Sequence, residues 1–249
     1  LILDEADRML DMGFVDDIKK IIKFLPETRQ TLMFSATMPQ KIRTLTSSIL
    51  KNPVELNFGL AKPAEGVLQA AYLCYEPNKA ELVSWLIKDK PDYGSILIFC
   101  ARKRKVAELA RSLKKVDKNV EGISSDLEQS QREEVLLGFR ARTTRILVAT
   151  DVMSRGIDIK DIDLVINYDV PNDAEDYVHR VGRTARAKGT GVAISIVSPE
   201  DMEKLDRIEK LIEASVYKMP IPEEIGTSPE WNPGTFRKKK SFHSKKRKY

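Results

Sequence analysis

The feature that most constrains this chain is a regular alternation of short apolar runs with segments of helical period. LIL (1–3), TLMF (31–34), VELNF (54–58), VLQAAYLCY (67–75), ILIFC (96–100), VEGI (120–123), RILVAT (145–150), LVINY (164–168) and VAISIV (192–197) read as strands. Between them, residues 15–24, 39–50, 78–88, 103–115, 129–139, 174–181 and 199–213 read as helices. Several of the runs are apolar at successive positions instead of alternating. A strand tolerates that only when both faces of its sheet are covered. The reading is an α/β fold with a parallel sheet between helical layers.

The segment GLAKPAEG (59–66) interrupts the alternation with two Gly and one Pro and no apolar period, so it reads as a linker. Three strands precede it, against five or six after it. We therefore expect residues 1–58 to be one unit, incomplete at its N-terminal side, and residues 67–215 to be a complete second one. The chain starts at Leu1, not Met, and reads as a fragment or a processed product. Residues 216–249 are rich in Pro and Gly and then strongly basic, and are expected to be a disordered tail. The last fourteen residues hold eight Lys and Arg and no acid, which exceeds the net charge of +5, so the remainder is acidic. Such a tail suits a polyanion. Cys74 and Cys100 lie in apolar runs outside any Cys-x-x-Cys pair, which argues against zinc and for core thiols in a reducing compartment, the cytoplasm. No run reaches the ~18 apolar residues of a membrane span.

The chemistry gathers at strand ends, where open parallel sheets bind ligands. Asp4, Glu5 and Asp7 follow LIL. An aspartate there suits a hydrated Mg²⁺, which takes one or two carboxylates, and the next acid can orient or deprotonate water. Plain surface acids at a helix start are the competing reading. SAT (35–37) follows TLMF, and could equally cap the helix behind Pro39. ATDVMSRGIDI (149–159) follows RILV and places Thr150, Asp151, Arg155, Gly156 and Asp158 in one loop. YVHRVGRTAR (177–186) spaces Arg180, Arg183 and Arg186 three apart, which on a helix keeps them near one face. Guanidiniums so placed repel unless an anion neutralises them, and arginine suits phosphate and the charge of phosphoryl transfer.

In this order and spacing, DEAD (4–7), SAT (35–37), ATDVMSRGID (149–158) and HRVGRTAR (179–186) resemble the DEAD-box family of ATP-dependent RNA helicases. RMLDMGF (8–14), RQTLMFSATMP (29–39) and VINYDVP (165–171) resemble it too, and more closely its bacterial members. The resemblance covers about residues 1 to 215. It implies two RecA-like domains that close over ATP and single-stranded RNA. Asp4 and Glu5 would then hold Mg²⁺, with Glu5 activating water. Asp7, Ser35, Thr37, His179 and Arg180 would couple the domains. Arg183 and Arg186 would reach the phosphates and Asp158 the ribose. Arg102, Gln129, Arg132, Thr150 and Gly156 would face RNA, through backbone contacts that are largely sequence-independent and salt-sensitive.

Two places depart from the family pattern. Ser124-Ser125-Asp126 stands where His-Gly-Asp is usual, and Arg102 where a Thr usually follows the ILIFC strand. Trp231 and Phe236, one on each side of a proline, could stack on bases. No GxxxxGK[ST] phosphate cradle occurs in the chain. The expected function is ATP-dependent unwinding or remodelling of RNA duplexes, with this chain inactive by itself. The alternative is an RNA-binding module without ATP turnover, and a DNA translocase is disfavoured by the resemblance.

Overall fold

The computed structural model describes residues 1–57, 66–151, 161–184 and 191–234. The chain divides into two compact units, Leu1–Ala61 and Lys62–Tyr249.

In the first unit, β1 (Ile2–Leu3) pairs in parallel with β2 (Leu32–Met33). Helices α1 (Ala6–Asp11), α2 (Val15–Lys23) and α3 (Gln40–Ile49) accompany them. Apolar positions three or four apart on α2 and α3 make one stripe per helix, and Ile18, Leu45 and Ile49 close with Leu3 into a core. Residues 54–57 form no strand, although VELNF has the period of one. Val54 and Leu56 are exposed, and among the described residues nothing pairs with them. Period-two patterning favours extended backbone, but a strand exists only through a neighbour's hydrogen bonds.

The second unit is built on a seven-stranded parallel sheet. Its strands are β3 (Val67–Leu73), β4 (Ile96–Phe99), β5 (Val120–Ile123), β6 (Ile146–Ala149), β7 (Leu164–Asn167), β8 (Gly191–Val197) and β9 (Tyr217–Pro220), in the order β5-β6-β4-β7-β8-β3-β9. Successive side chains go to opposite faces. Ile96 and Ile98 of β4, Ile146 and Val148 of β6 and Leu164 and Ile166 of β7 meet α4 (Lys79–Ile87) and α5 (Lys103–Leu113) on one face. Leu97, Phe99, Leu147 and Val165 meet α6 (Gln129–Arg140) on the other. Further along that face, Ala71, Leu73, Ala193 and Val197 meet α7 (Ala174–Val181) and α8 (Met202–Ile212). Both faces are covered, which is why the central strands are apolar throughout. Cys74 and Cys100 are free and buried within this core, and burial pushes the Cys74 thiol up to about 11.

The fold continues past residue 215. The stretch expected to open a disordered tail contains β9, which pairs in parallel with β3 from Ala70 opposite Tyr217 to Leu73 opposite Pro220. Val216 and Ile221 flank it and are buried. Trp231 packs against the α7–α8 cluster with the Lys218 ammonium 4.4 Å from its ring centre, so it is engaged within the fold. The strand is hard to see in sequence because it is short, polar at Lys218 and ends in Pro220, a residue tolerated at sheet edges. The basic run, with Phe236, lies outside the described residues. Among the described residues no helix is long and apolar enough to cross a membrane.

Candidate functional site

All seven strands of the second unit run the same way, so the residues after β4, β6 and β7 gather along one sheet edge. In the first unit β1 and β2 likewise deliver DEAD and SAT to the same end.

At the end of β1 the chain turns sharply into α1. Glu5 holds the left-handed conformation, φ 50° and ψ 47°. That conformation costs a non-glycine residue on the order of 1–3 kcal/mol and persists only where neighbours over-determine it. The neighbours are visible. The Glu5 amide donates to Asp4 Oδ1 at 2.9 Å, and the Ala6 amide to the Phe34 carbonyl at 3.0 Å. Asp7 is buried, and its Oδ2 accepts both the Thr37 amide and the Thr37 hydroxyl at 2.9 Å. The Asp7 amide donates to Ser35 Oγ at 3.2 Å, and that hydroxyl donates to the Thr37 carbonyl at 2.7 Å. Asp7 is therefore no surface acid. SAT does not cap α3 either: its N-cap is Pro39, without a side-chain bond. Asp4 is exposed and Glu5 half-buried. Two hard carboxylates so placed fit an ion that keeps most of its water and fills its shell from phosphates. Among the described residues no group of three or more His, Cys, Asp or Glu forms a protein cage for a metal.

In the second unit, α7 ends at Val181, with Gly182 as C-cap. Three arginines therefore do not share a helical face. Arg180 lies on the helix, Arg183 is half-buried in the turn beyond it, and Arg186 lies outside the described residues. Thr184, fully buried, stops the helix by donating to the Ile162 carbonyl at 2.6 Å, while the Arg183 carbonyl accepts the Ile162 amide. His179 is half-buried in the last turn of α7.

Arg180, expected to couple the domains, is 3% exposed and committed inside its own unit. Its Nε and Nη2 grip Asp151 Oδ1 and Oδ2 at 2.6 and 2.7 Å. Its Nη1 donates to Asn167 Oδ1 at 3.1 Å and to the Asp169 carbonyl at 2.8 Å, and the guanidinium lies 4.9 Å from the centre of the Phe99 ring. Sequence spacing cannot distinguish a guanidinium aimed outward from one aimed at a neighbouring strand.

Of the residues expected to face RNA, Arg102 is exposed at the start of α5 and Gln129 is exposed at the start of α6, bonded to Glu133 at 2.9 Å. Arg132 donates from Nη2 to the Ser125 carbonyl at 2.9 Å, while its buried Nε meets no partner among the described residues. In the segment that departs from the family pattern, Asp126 pairs with Lys103 at 2.7 Å, which ties the loop after β5 to the start of α5. Thr150 is half-buried directly after β6. Gly156, Asp158 and Arg155 lie outside the described residues.

One group escaped the sequence reading. Asp169, of VINYDVP, is buried after β7, with Lys105 Nζ 2.9 Å from Oδ1 and the Ala101 amide 2.8 Å from Oδ2. Glu76 holds both Lys105 and Lys79, and Lys79 is fully buried among Glu76, Asp169, Asp201 and the Tyr168 carbonyl. Its signals in the sequence are an Asp directly after an apolar run and its place in VINYDVP.

Comparison with known proteins decides the lineage. Residues 1–45 match the DEAD/DEAH box helicase model, and residues 78–188 match the helicase conserved C-terminal domain; together these take in more than half of the chain. The chain belongs to the DEAD-box helicase family. It is 40% identical over 223 residues to DEAD-box ATP-dependent RNA helicase 46 of Arabidopsis thaliana, covering 88% of this chain and 34% of that protein. To the DEAD-box ATP-dependent RNA helicase CshA of Geobacillus kaustophilus it is 40% identical over 224 residues, covering 89% and 48%. Among solved structures it is similar to S. cerevisiae Dbp5 bound to RNA and ADP BeF3, with a TM-score of 0.78 and 32% identity over 88% of this chain and 59% of that one. This DEAD-box chain thus spans about a third to a half of the length of these curated relatives.

Proposed function

We propose that this chain works in an ATP-dependent RNA helicase that couples ATP hydrolysis to local unwinding or remodelling of RNA duplexes. The observation that carries the reading is the strained Glu5 turn, held by Asp7 against Ser35 and Thr37 at the end of a parallel strand. In this reading Asp4 and Glu5 would hold the Mg²⁺ of MgATP, which would supply positive charge beside the phosphates, and Glu5 accepts the proton of the attacking water. Arg183 and Arg186 stabilise charge on the transferred phosphoryl group, and Asp158 meets the ribose. Asp7, Ser35, Thr37 and His179 transmit nucleotide state between the domains. Arg102, Gln129, Arg132, Thr150 and Gly156 hold the RNA backbone, so binding is sequence-tolerant and weakens with salt. The similarity to Dbp5 in complex with RNA and ADP BeF3 supports both ligands. The buried, unpaired cysteines suit the cytoplasm.

The test is Glu5→Gln in the complete protein. ATP binding is expected to persist while RNA-stimulated phosphate release falls at least ~10²-fold, the usual worth of a general base. Turnover equal to the parent's overturns the assignment. A second reading is an RNA-binding module without turnover, supported by the placement of Arg102, Gln129, Arg132 and Thr150 on one seven-stranded unit. It holds if the complete protein binds RNA and releases no phosphate.

A further inference from the structure

We propose that Asp169 is a positioning residue for RNA-backbone binding: it sets the loop after β4 that presents Arg102. The inference rests on the RNA reading of Arg102 and goes beyond it to what aims that side chain. β7 lies beside β4 in parallel register, Phe99 opposite Asn167. Two residues further on, Asp169 therefore meets the corner where the chain leaves β4 for α5. Its Oδ2 accepts the Ala101 amide at 2.8 Å, the residue immediately before Arg102. Its own amide donates to the Phe99 carbonyl at 3.3 Å, and its carbonyl accepts Arg180 Nη1 at 2.8 Å. The carboxylate cannot swing, because Oδ1 faces Lys105 Nζ at 2.9 Å and Lys79 Nζ at 3.7 Å. Lys105 stands in the first turn of α5, so the same carboxylate grips the loop and the helix that follows it. The neighbouring Cys100 amide donates to the Ala149 carbonyl at 2.9 Å, one residue before Thr150. The corner thus carries Arg102 in fixed register with Thr150.

A charged group serves here for a physical reason. Buried ion pairs are poor sources of net stability, and apolar replacements are often neutral or better. What a carboxylate offers is direction: two acceptor oxygens that hold an amide and an ammonium at once. Arg102 is exposed at the start of α5, on the backbone that Asp169 holds.

The test is a double-mutant cycle on the 249-residue chain, read by fluorescence anisotropy with a labelled single-stranded oligouridylate, with thermal unfolding as a control on folding. Asp169→Ala is expected to raise the RNA Kd about tenfold, the scale of a lost charge-assisted hydrogen bond. In an Arg102→Ala background the same change is expected to cost nothing further, because residues that act through one contact are not additive. Additive losses, or an Asp169→Ala chain that binds like the parent while Arg102→Ala does not, overturn the inference. If Arg102→Ala itself binds like the parent, the RNA reading of this loop fails and the inference falls with it. Should Asp169→Ala not fold, Asp169→Asn keeps the shape and removes the charge; it enters the same cycle, where a non-additive loss supports the inference and an additive one overturns it.

Discussion

Arg180 shows how a residue recognised in sequence acquires its role only in space. It lies between His179 and Arg183, yet its guanidinium spans Asp151 after β6, Asn167 of β7 and the Asp169 carbonyl. Removing the guanidinium takes a bidentate donor from the part-buried Asp151 carboxylate and a donor from the buried Asn167 amide oxygen. Arg180→Ala is expected to destabilise the second unit by about 3–4 kcal/mol in urea unfolding, and Arg180→Lys, which keeps charge but not the bidentate fork, by roughly half that. A cost for Arg180→Ala under ~0.5 kcal/mol, the range of surface substitutions, would show that these bonds contribute little to the stability of the unit. Asp7 differs, since the residues it was grouped with in sequence, Ser35 and Thr37, are the ones it holds.

Two elements depart from their sequence patterns for reasons of tertiary contact. Helix α7 stops at Val181 although the three-residue spacing of its arginines continues. Thr184 bonds to the Ile162 carbonyl, and a Cβ at Gly191 would overlap the Thr184 carbonyl, so β8 must begin with glycine at this crossing. Strand β9 adds an edge to the sheet from a stretch without recognisable alternation, and the chain after it returns Trp231 to the α7–α8 cluster. Ending the chain after residue 215 would strip the ladder from β3 and uncover the apolar cluster under Trp231. We expect such a truncation to lower the melting temperature by roughly 2–4 °C for each kcal/mol lost, the scale for a body of about 150–250 residues. Ending it after residue 234 keeps β9 and Trp231 and is expected to melt above the shorter chain. Equal melting of both truncations would show that β9 contributes nothing to stability.

Across the molecule the charges are sorted: an acidic body, a basic terminus, and a buried ionic group at the sheet edge of the second unit. Burial alone would raise the Asp169 carboxyl, but the Ala101 amide and the Lys105 and Lys79 ammoniums outweigh it and hold it below the usual carboxylate range. Burial likewise opposes ionisation of Glu76, and Lys105 and Lys79 hold it low. Groups depressed on folding contribute stability above their unfolded values, about 3.9 for Asp and 4.3 for Glu, and lose it as pH falls through the folded ones. The melting temperature is therefore expected to fall as pH drops below about 4, less steeply in Asp169→Asn, as thermal unfolding across a pH series would read. An identical acid slope in parent and variant would remove Asp169 from the account.

The sequence by itself determined the α/β class, the chain positions of most strands and helices, and the family, because a doubly covered parallel sheet needs continuous apolar runs and because DEAD, SAT and the arginine segment are local strings. It also named Asp7 with Ser35 and Thr37. Only the tertiary structure decided which way Arg180 points, that β9 joins the sheet, and that Asp169 grips the loop before Arg102. Each of these depends on a partner far along the chain: 29 residues from Arg180 to Asp151, 68 from Ala101 to Asp169. Periodicity records which face of an element is apolar, whereas a buried hydrogen bond depends on register between elements, and no local pattern encodes that.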